Sequence, residues 1–301
     1  MSNFSILDVL SGPPPLISVV DIGAMAEGGN RFDKLLDLGI TKVVGFEPQP
    51  DELAKLKAKD DARHTYLNYF VGRGGPATFH TCRYRGCSSL YRPDPRIIDP
   101  FIGVGTVPGS NFEVLSSRGV KTKQLDDIRE IEACDYLLID VQGSELDVLE
   151  GARRTLRNTP VVEVEVEFVP LYEGQPLFAE IDVFMRENGF LLHKLIDVAG
   201  RAFRPFLLGD QPDDLAKPLS QLLWADAVFV KDFTRFDEVT SGQLLKTAIV
   251  LHEVYLSPDL ASRALDAYDR KEGSGLCKTY VERFFGGEGF ETNFINIKDW
   301  M

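Results

Sequence analysis

The 301-residue sequence predicts an α/β fold built on a mostly parallel sheet. Three observations carry that reading. Short apolar strands alternate with amphipathic helical stretches from residue 17 onward. The run Tyr136-Leu137-Leu138-Ile139 has no polar alternation, as a central strand covered on both faces requires. Three strands in order finish on a carboxylate, Asp21, Glu47 and Asp140, each followed by a turn. Ligands in open sheets of this class bind beyond the carboxyl ends of the strands.

The elements follow in order. Gly12-Pro13-Pro14-Pro15 is a stiff connector that no helix crosses, and Ile17–Ile22 is the first strand. Arg31–Leu38 reads as a helix stopped by Gly39, Lys42–Phe46 as the second strand and Asp51–Lys59 as the next helix. Tyr66–Val71 and Ala77–His80 read as strands around a Gly72-Arg73-Gly74-Gly75-Pro76 turn. Thr81–Gly119, punctuated by Pro93, Pro95, Pro100 and Pro108, reads as a long irregular segment of the kind that covers a site. From Ser144, an available N-cap, Leu146, Leu149, Ala152 and Leu156 recur at helical spacing. Val161–Phe168, Phe190–Leu195 and Trp224–Val230 are further strands, with a helix over Phe178–Asn188. Beyond residue 232 the strands stop, and helices are predicted over Gln243–Leu256, Pro258–Lys271 and Cys277–Phe285. The domain reading is thus an N-terminal extension (1–16), a catalytic-type α/β domain (17–232) and a helical appendage (233–301) that offers a surface for homo-oligomer formation.

Composition narrows the function classes. A formal net charge of −13 argues against a nucleic-acid partner, whose phosphates call for clustered Lys and Arg. No apolar run approaches the roughly 20 residues of a membrane span. Met1-Ser2-Asn3-Phe4-Ser5 has no basic region of a secretory signal, and Cys82, Cys87, Cys134 and Cys277 are scattered, so reduced thiols in the cytoplasm are expected. Cys82 and Cys87 lack a second metal-type pair, and no metal ligand set is assigned. Arg83, Arg85, Arg92 and Arg96 form either a solvated loop or a guide for an anionic substrate.

The strand ends point to a nucleoside. Val20-Asp21-Ile22-Gly23-Ala24 offers a glycine turn whose backbone a ligand can approach, and Gly45-Phe46-Glu47-Pro48 places a carboxylate to accept ribose hydroxyls. The first turn is not G-x-G-x-x-G, and Glu27 stands where a pyrophosphate needs room, which favours a cationic sulfonium over a dinucleotide.

With Ser88-Ser89-Leu90, Leu125-Asp126-Asp127-Ile128, and above all Ile139-Asp140-Val141-Gln142-Gly143-Ser144-Glu145 and Val148-Leu149-Glu150-Gly151, the chain resembles the FkbM-type class I methyltransferases over residues 17–195. That resemblance implies a Rossmann-like seven-stranded sheet whose last strand is antiparallel, S-adenosyl-L-methionine as methyl donor, and a hydroxyl oxygen of a small metabolite or glycan as acceptor. It implies a donor site from Asp21, Gly23, Ala24, Glu47, Pro48, Val71, Asp140 and Gln142. Two stretches depart from the family: Ala24-Met25-Ala26-Glu27 replaces the usual Ala-Asn-x-Gly, and Gly72-Arg73-Gly74 stands where an acidic residue is common.

The sulfonium brings its own leaving group, so the protein must align the acceptor and remove a proton. Candidates for the base are Asp140, Glu145, Glu165, Glu167 and His193; Glu163, Glu165 and Glu167 should share one face of their strand. Asp140 also reads as a turn cap or, with a neighbouring carboxylate, as a ligand for a divalent cation, Glu145 as a helix-dipole residue and His193 as a hydrogen-bonded core histidine. A nicotinamide-dependent oxidoreductase and a non-catalytic interaction module of the same fold are the alternatives.

Overall fold

A computed structural model describes residues 4–26, 29–58, 61–205 and 221–285; Glu27 and Gly28 of the first turn lie outside the described residues. The described chain falls into two compact units, one formed by residues 17–30 and 41–232 and the other by residues 1–16, 31–40 and 233–301.

The first unit carries a seven-stranded sheet. Its members are β1 (Ile17–Ile22), β2 (Thr41–Phe46), β3 (His64–Leu67), β7 (Tyr136–Ile139), β8 (Val161–Glu167), β9 (Phe190–Gly200) and β10 (Leu222–Lys231), in spatial order β3-β2-β1-β7-β8-β10-β9. Strand order reverses at β1/β7, and β10 runs antiparallel to both of its neighbours. The chain direction of β1, β2 and β7 brings Ile22, Phe46 and Ile139 into register at one edge of the sheet. Val20, Ile22, Leu137, Ile139, Val162, Val164, Ala225 and Phe229 are buried in its main core, as apolar strands with helices on both faces should be.

The expected third strand is broken. β3 joins the large sheet, while β4 (Phe70–Val71) pairs with a second, three-stranded sheet of β5 (Gly75–Cys82) and β6 (Val114–Lys123), ordered β4-β6-β5. β6 corrects the reading of Thr81–Gly119 as irregular throughout. Its sequence, Val-Leu-Ser-Ser-Arg-Gly-Val-Lys-Thr-Lys, is exposed at most positions, so no hydrophobic period marks it.

The helices of this unit are α2 (Pro50–Ala58), α3 (Pro95–Ile98), α4 (Glu145–Glu150), α5 (Arg153–Leu156) and α6 (Phe178–Glu187). α3 is capped by Asp94, whose carboxylate accepts the Arg96 N–H at 2.9 Å. Ser144 occupies the cap position of α4, but its hydroxyl donates to the Val141 carbonyl at 3.4 Å and caps nothing; the Glu145 carboxylate accepts the Val141 and Gly143 N–H groups of the preceding turn.

The second unit holds α1 (Asp33–Asp37), α7 (Ser241–Glu253), α8 (Pro258–Glu272) and α9 (Leu276–Phe285). A capping box of Thr240 and Gln243 starts α7, and Gly273 in the left-handed region ends α8. The N-terminal segment is tied to this helical unit: Glu253 Oε1 accepts from the Ser5 hydroxyl at 2.5 Å and from Ile6 N–H at 2.9 Å, and His252 lies between Tyr280 Oη and the Phe4 carbonyl. No helix among the described residues is long and apolar enough to cross a membrane.

Candidate active site

The ends of β1, β2 and β7 are laced together by their own backbones. Asp140 N–H donates to the Ile22 carbonyl at 2.9 Å, and both Gly23 and Ala24 N–H donate to the Phe46 carbonyl at 3.1 Å. The glycine turn was expected to present those N–H groups to a ligand; they already have partners. Gly23 is required for a different reason. Its φ is +96°, and a Cβ there would stand 1.8 Å from the Asp140 carbonyl oxygen. Ala24 is buried against Ala26, Leu56 and Tyr66 and lines no described cavity. Asp21 likewise lines neither cavity; burial, reinforced by the neighbouring Asp140 charge, pushes its carboxyl up to about 7.

Two cavities open at this edge of the sheet. The first, about 620 Å³ when space open to solvent is included, is walled by Ile22, Phe46, Tyr69, Val71, Phe79 and Leu90. Glu47, Pro48, Gln49, Ser88, Asp140 and Gln142 supply most of its polar lining, together with the Gly23 backbone. Glu47 is 5% exposed and accepts the Gln49 N–H at 2.5 Å through Oε1. Burial pushes its carboxyl up to about 7, against the pull of that hydrogen bond. Gln49 Oε1 is buried without a hydrogen-bond partner, so beside the Glu47 carboxylate this cavity holds an orphaned acceptor ready for ligand donors.

The second cavity, about 720 Å³ on the same basis, shares Met25, Gly86, Asp140 and Gln142 with the first and continues to Glu165, Glu167, Arg201 and Trp224. Arg201 stacks over the Trp224 ring, 4.9 Å from its centroid. Asp140 and Gln142 therefore stand where the two cavities meet.

Gln142 is held in the left-handed region, φ +59°, a conformation rare for a side chain of its size. Its Nε2 donates to Asp140 Oδ1 at 2.7 Å and to Glu165 Oε2 at 2.6 Å, while Oε1 lies 3.2 Å from Tyr172 Oη. Glu145 is 1% exposed; Oε1 accepts from Val141 and Gly143 N–H at 3.0 Å each, and Oε2 has no partner. Burial pushes the Glu145 carboxyl up to about 8. Burial, with repulsion from Asp140 and Glu145, also holds Glu165 and Glu167 well above the usual carboxylate range. Glu163, expected on the same face, is engaged by the Tyr136 hydroxyl at 3.1 Å and lines neither cavity.

The cavities thus gather Glu47, Pro48, Val71, Asp140, Gln142 and Glu167 from the sequence-predicted set, with Gly23 in the wall and Glu145 beneath the junction. His193 is not brought to them. It lies in β9, the strand at the sheet edge, with β8 and β10 between it and Asp140. Arg83, Arg85 and Arg96 pair with Glu113, Asp51 and Asp94, so three of the four loop arginines are already neutralised. Gln49, Tyr172, Arg201 and Trp224 escaped the sequence reading as site residues. Only Gln49 had a signal, two positions after Glu47; the others reach the site from loops and strands remote in sequence.

S-adenosylmethionine fits the first cavity: Glu47 and the orphaned Gln49 oxygen would take the hydroxyl and amino hydrogens of an adenosine, the apolar walls its ring, and Asp140 a nearby positive charge. Over 186 residues, 59% of this chain and 74% of the relative, the sequence is 29% identical to 2-O-methyltransferase NoeI of Sinorhizobium fredii. Solved structures of similar topology include an S-adenosylmethionine-dependent methyltransferase from Mesorhizobium loti (12% identity, TM-score 0.35, covering 75% of this chain and 95% of that one). Another is TYW2 of M. jannaschii in complex with AdoMet (12% identity, TM-score 0.30, 75% and 74% covered). Residues 21–192 match the methyltransferase FkbM domain, more than half of the chain, which therefore belongs to the FkbM family of S-adenosylmethionine-dependent methyltransferases.

Proposed function

We propose that this methyltransferase acts on a hydroxyl oxygen of a small metabolite or glycan, with the first cavity as donor site and the second as acceptor site. The observation that carries the reading is the junction: two cavities meet at Asp140 and Gln142, and the second is walled by carboxylates able to receive a proton. The name of the NoeI relative, a 2-O-methyltransferase, supports an oxygen acceptor.

S-adenosylmethionine supplies an electrophilic methyl group on a sulfonium. The chain's own residues do the rest. Glu47 binds the ribose hydroxyls, and Gln142, fixed by Asp140, Glu165 and Tyr172, orients groups at the junction. Glu167 receives the hydroxyl proton. Its Oε2 is buried in the wall of the acceptor cavity with no partner, whereas Glu165 Oε2 and Asp140 Oδ1 already accept from Gln142. Its raised affinity for protons suits a general base, which must hold the proton it removes. Trp224 and the Arg201 guanidinium offer a flat wall for a sugar ring.

The test is incubation with methyl-labelled S-adenosylmethionine and a panel of mono- and oligosaccharides, polyols and amines. An oxygen-linked label is expected; a label found only on nitrogen or carbon overturns the acceptor class.

A further inference from the structure

One oxygen of each of Asp140, Glu145 and Glu165 lies within 4.8 Å of an oxygen of each of the others. None of the three forms an ion pair with a Lys or Arg among the described residues, so no described cation neutralises this convergence of acids at contact distance. Hydrogen bonding leaves it incomplete as well. Glu145 spends Oε1 on two backbone N–H groups, and its Oε2, on a side chain 1% exposed, has no partner. An unpartnered carboxylate oxygen at that depth costs free energy that a bound cation would recover.

From this geometry we propose that Asp140, Glu145 and Glu165 form a divalent-cation site on the wall of the acceptor cavity, with Gln142 as a fourth oxygen ligand. An all-oxygen, carboxylate-rich set selects a hard ion of the magnesium, manganese or calcium type over zinc or copper. The cation enters as Gln142 rotates its amide by half a turn. Nε2, which now bridges Asp140 and Glu165, is exchanged for Oε1, and the amide then donates to Tyr172 Oη. Tyr172 retains the Cys87 carbonyl, 3.1 Å away, as acceptor for its own proton. The left-handed backbone of Gln142 serves this arrangement, because it turns the amide inward between two acids. A cation here also faces the second cavity beside Glu167 and can polarise an acceptor hydroxyl; that role rests on the hydroxyl-acceptor reading, whereas the binding site does not.

The experiment is direct. Full-length protein stripped with EDTA is titrated with Mn²⁺ at pH 8 while free Mn²⁺ is followed by electron paramagnetic resonance. Binding of S-adenosylhomocysteine is measured in the same samples. One saturable Mn²⁺ per chain is expected, displaced by Mg²⁺ and weakened at least tenfold in Glu165→Gln and in Asp140→Asn, while both variants keep a wild-type circular dichroism spectrum. Asp140 is exposed to the cavity, so its variant preserves a folded test if Glu165→Gln does not fold. Absence of saturable binding, or binding equal in wild type and variant, overturns the proposal and leaves the cluster holding protons. If Mn²⁺ fails to bind while S-adenosylhomocysteine binds normally, the cation site alone is rejected; loss of S-adenosylhomocysteine binding by the wild type rejects the donor site.

Discussion

Replacing Glu47 by Gln tests the donor site most sharply, because the substitution keeps the shape and changes only what the group can accept. In the wild type, Oε1 takes the Gln49 N–H at 2.5 Å, and the second oxygen remains for a ribose diol. The amide oxygen of the variant can retain Gln49, but its NH₂ then faces hydroxyls that need an acceptor. Hydrogen bonds to charged groups contribute about 1.5–3 kcal/mol each, and a mismatched buried donor adds its desolvation cost. The expected loss is therefore about 2–4 kcal/mol, or roughly 30- to 1000-fold in Kd for S-adenosylhomocysteine at pH 8.

The same residue sets a pH profile. The Glu47 carboxyl of the free protein sits at about 7. Ligand hydroxyls favour its ionised form, so binding requires deprotonation. At pH 6 that deprotonation costs about 1.4 kcal/mol, a tenfold weakening, and at pH 8 almost nothing. Isothermal titration should give wild-type affinity rising about tenfold from pH 6 to pH 8, while Glu47→Gln gives a much flatter profile. A variant Kd within about threefold of wild type at pH 8 would refute the placement of the ribose.

Three further outcomes follow from the geometry. Gly23→Ala forces a side chain onto a φ of +96° and against the Asp140 carbonyl, so stability should fall by about 2–5 kcal/mol; an unchanged urea midpoint would contradict the close approach. Glu167→Gln should lower kcat by about 10²- to 10⁴-fold with the Kd for S-adenosylhomocysteine nearly unchanged, and a kcat within threefold of wild type removes it as the base. Ligand-free protein should melt at a lower temperature at pH 8 than at pH 6. Asp21, Glu47 and Glu145 titrate at about 7, 7 and 8 when folded, above the ordinary 3.8 and 4.5, so the folded state holds protons the unfolded chain has lost. That contribution is full below the unfolded values of 3.8 and 4.5 and is lost progressively as pH rises to 7–8; scanning calorimetry showing the opposite order would refute it.

Much of the site was legible because strand ends are local. Tyr136–Ile139 is apolar without interruption, which fixed Asp140 at a buried strand end, and the Val-Glu alternation of Val161–Glu167 announced carboxylates on one face. What the sequence could not disclose is which backbone groups are already taken. Gly23 and Ala24 looked available to a ligand until the Phe46 carbonyl proved to hold both N–H groups. Ser144 had the right identity and position for a cap, yet its hydroxyl turns back to the Val141 carbonyl, while Glu145 takes the Val141 and Gly143 N–H groups that precede the helix. β6 was hidden because its stability comes from pairing along β5, with few buried side chains to impose a period. Trp224 lies in β10 and Arg201 directly follows β9, so the two meet the site only through the antiparallel pairing of β9 with β10.

Burial links these behaviours. The desolvation that raises Glu47, Glu145, Glu165 and Glu167 is one property of a cavity walled by acids, and it affects folding and binding with opposite signs. As pH rises from 6 to 8 the ligand-free fold loses stability, because more of those groups ionise without partners. Over the same interval a ligand that donates to Glu47, or a cation that sits among Asp140, Glu145 and Glu165, gains affinity, because it binds the ionised form. The stabilisation conferred by a fixed concentration of S-adenosylhomocysteine should therefore grow with pH. Adding Mg²⁺ should enlarge it further in the wild type and leave it unaltered in Glu165→Gln. If the ligand-induced shift in melting temperature were the same at pH 6 and pH 8, Glu47 would not be meeting the ligand as an ionised acceptor.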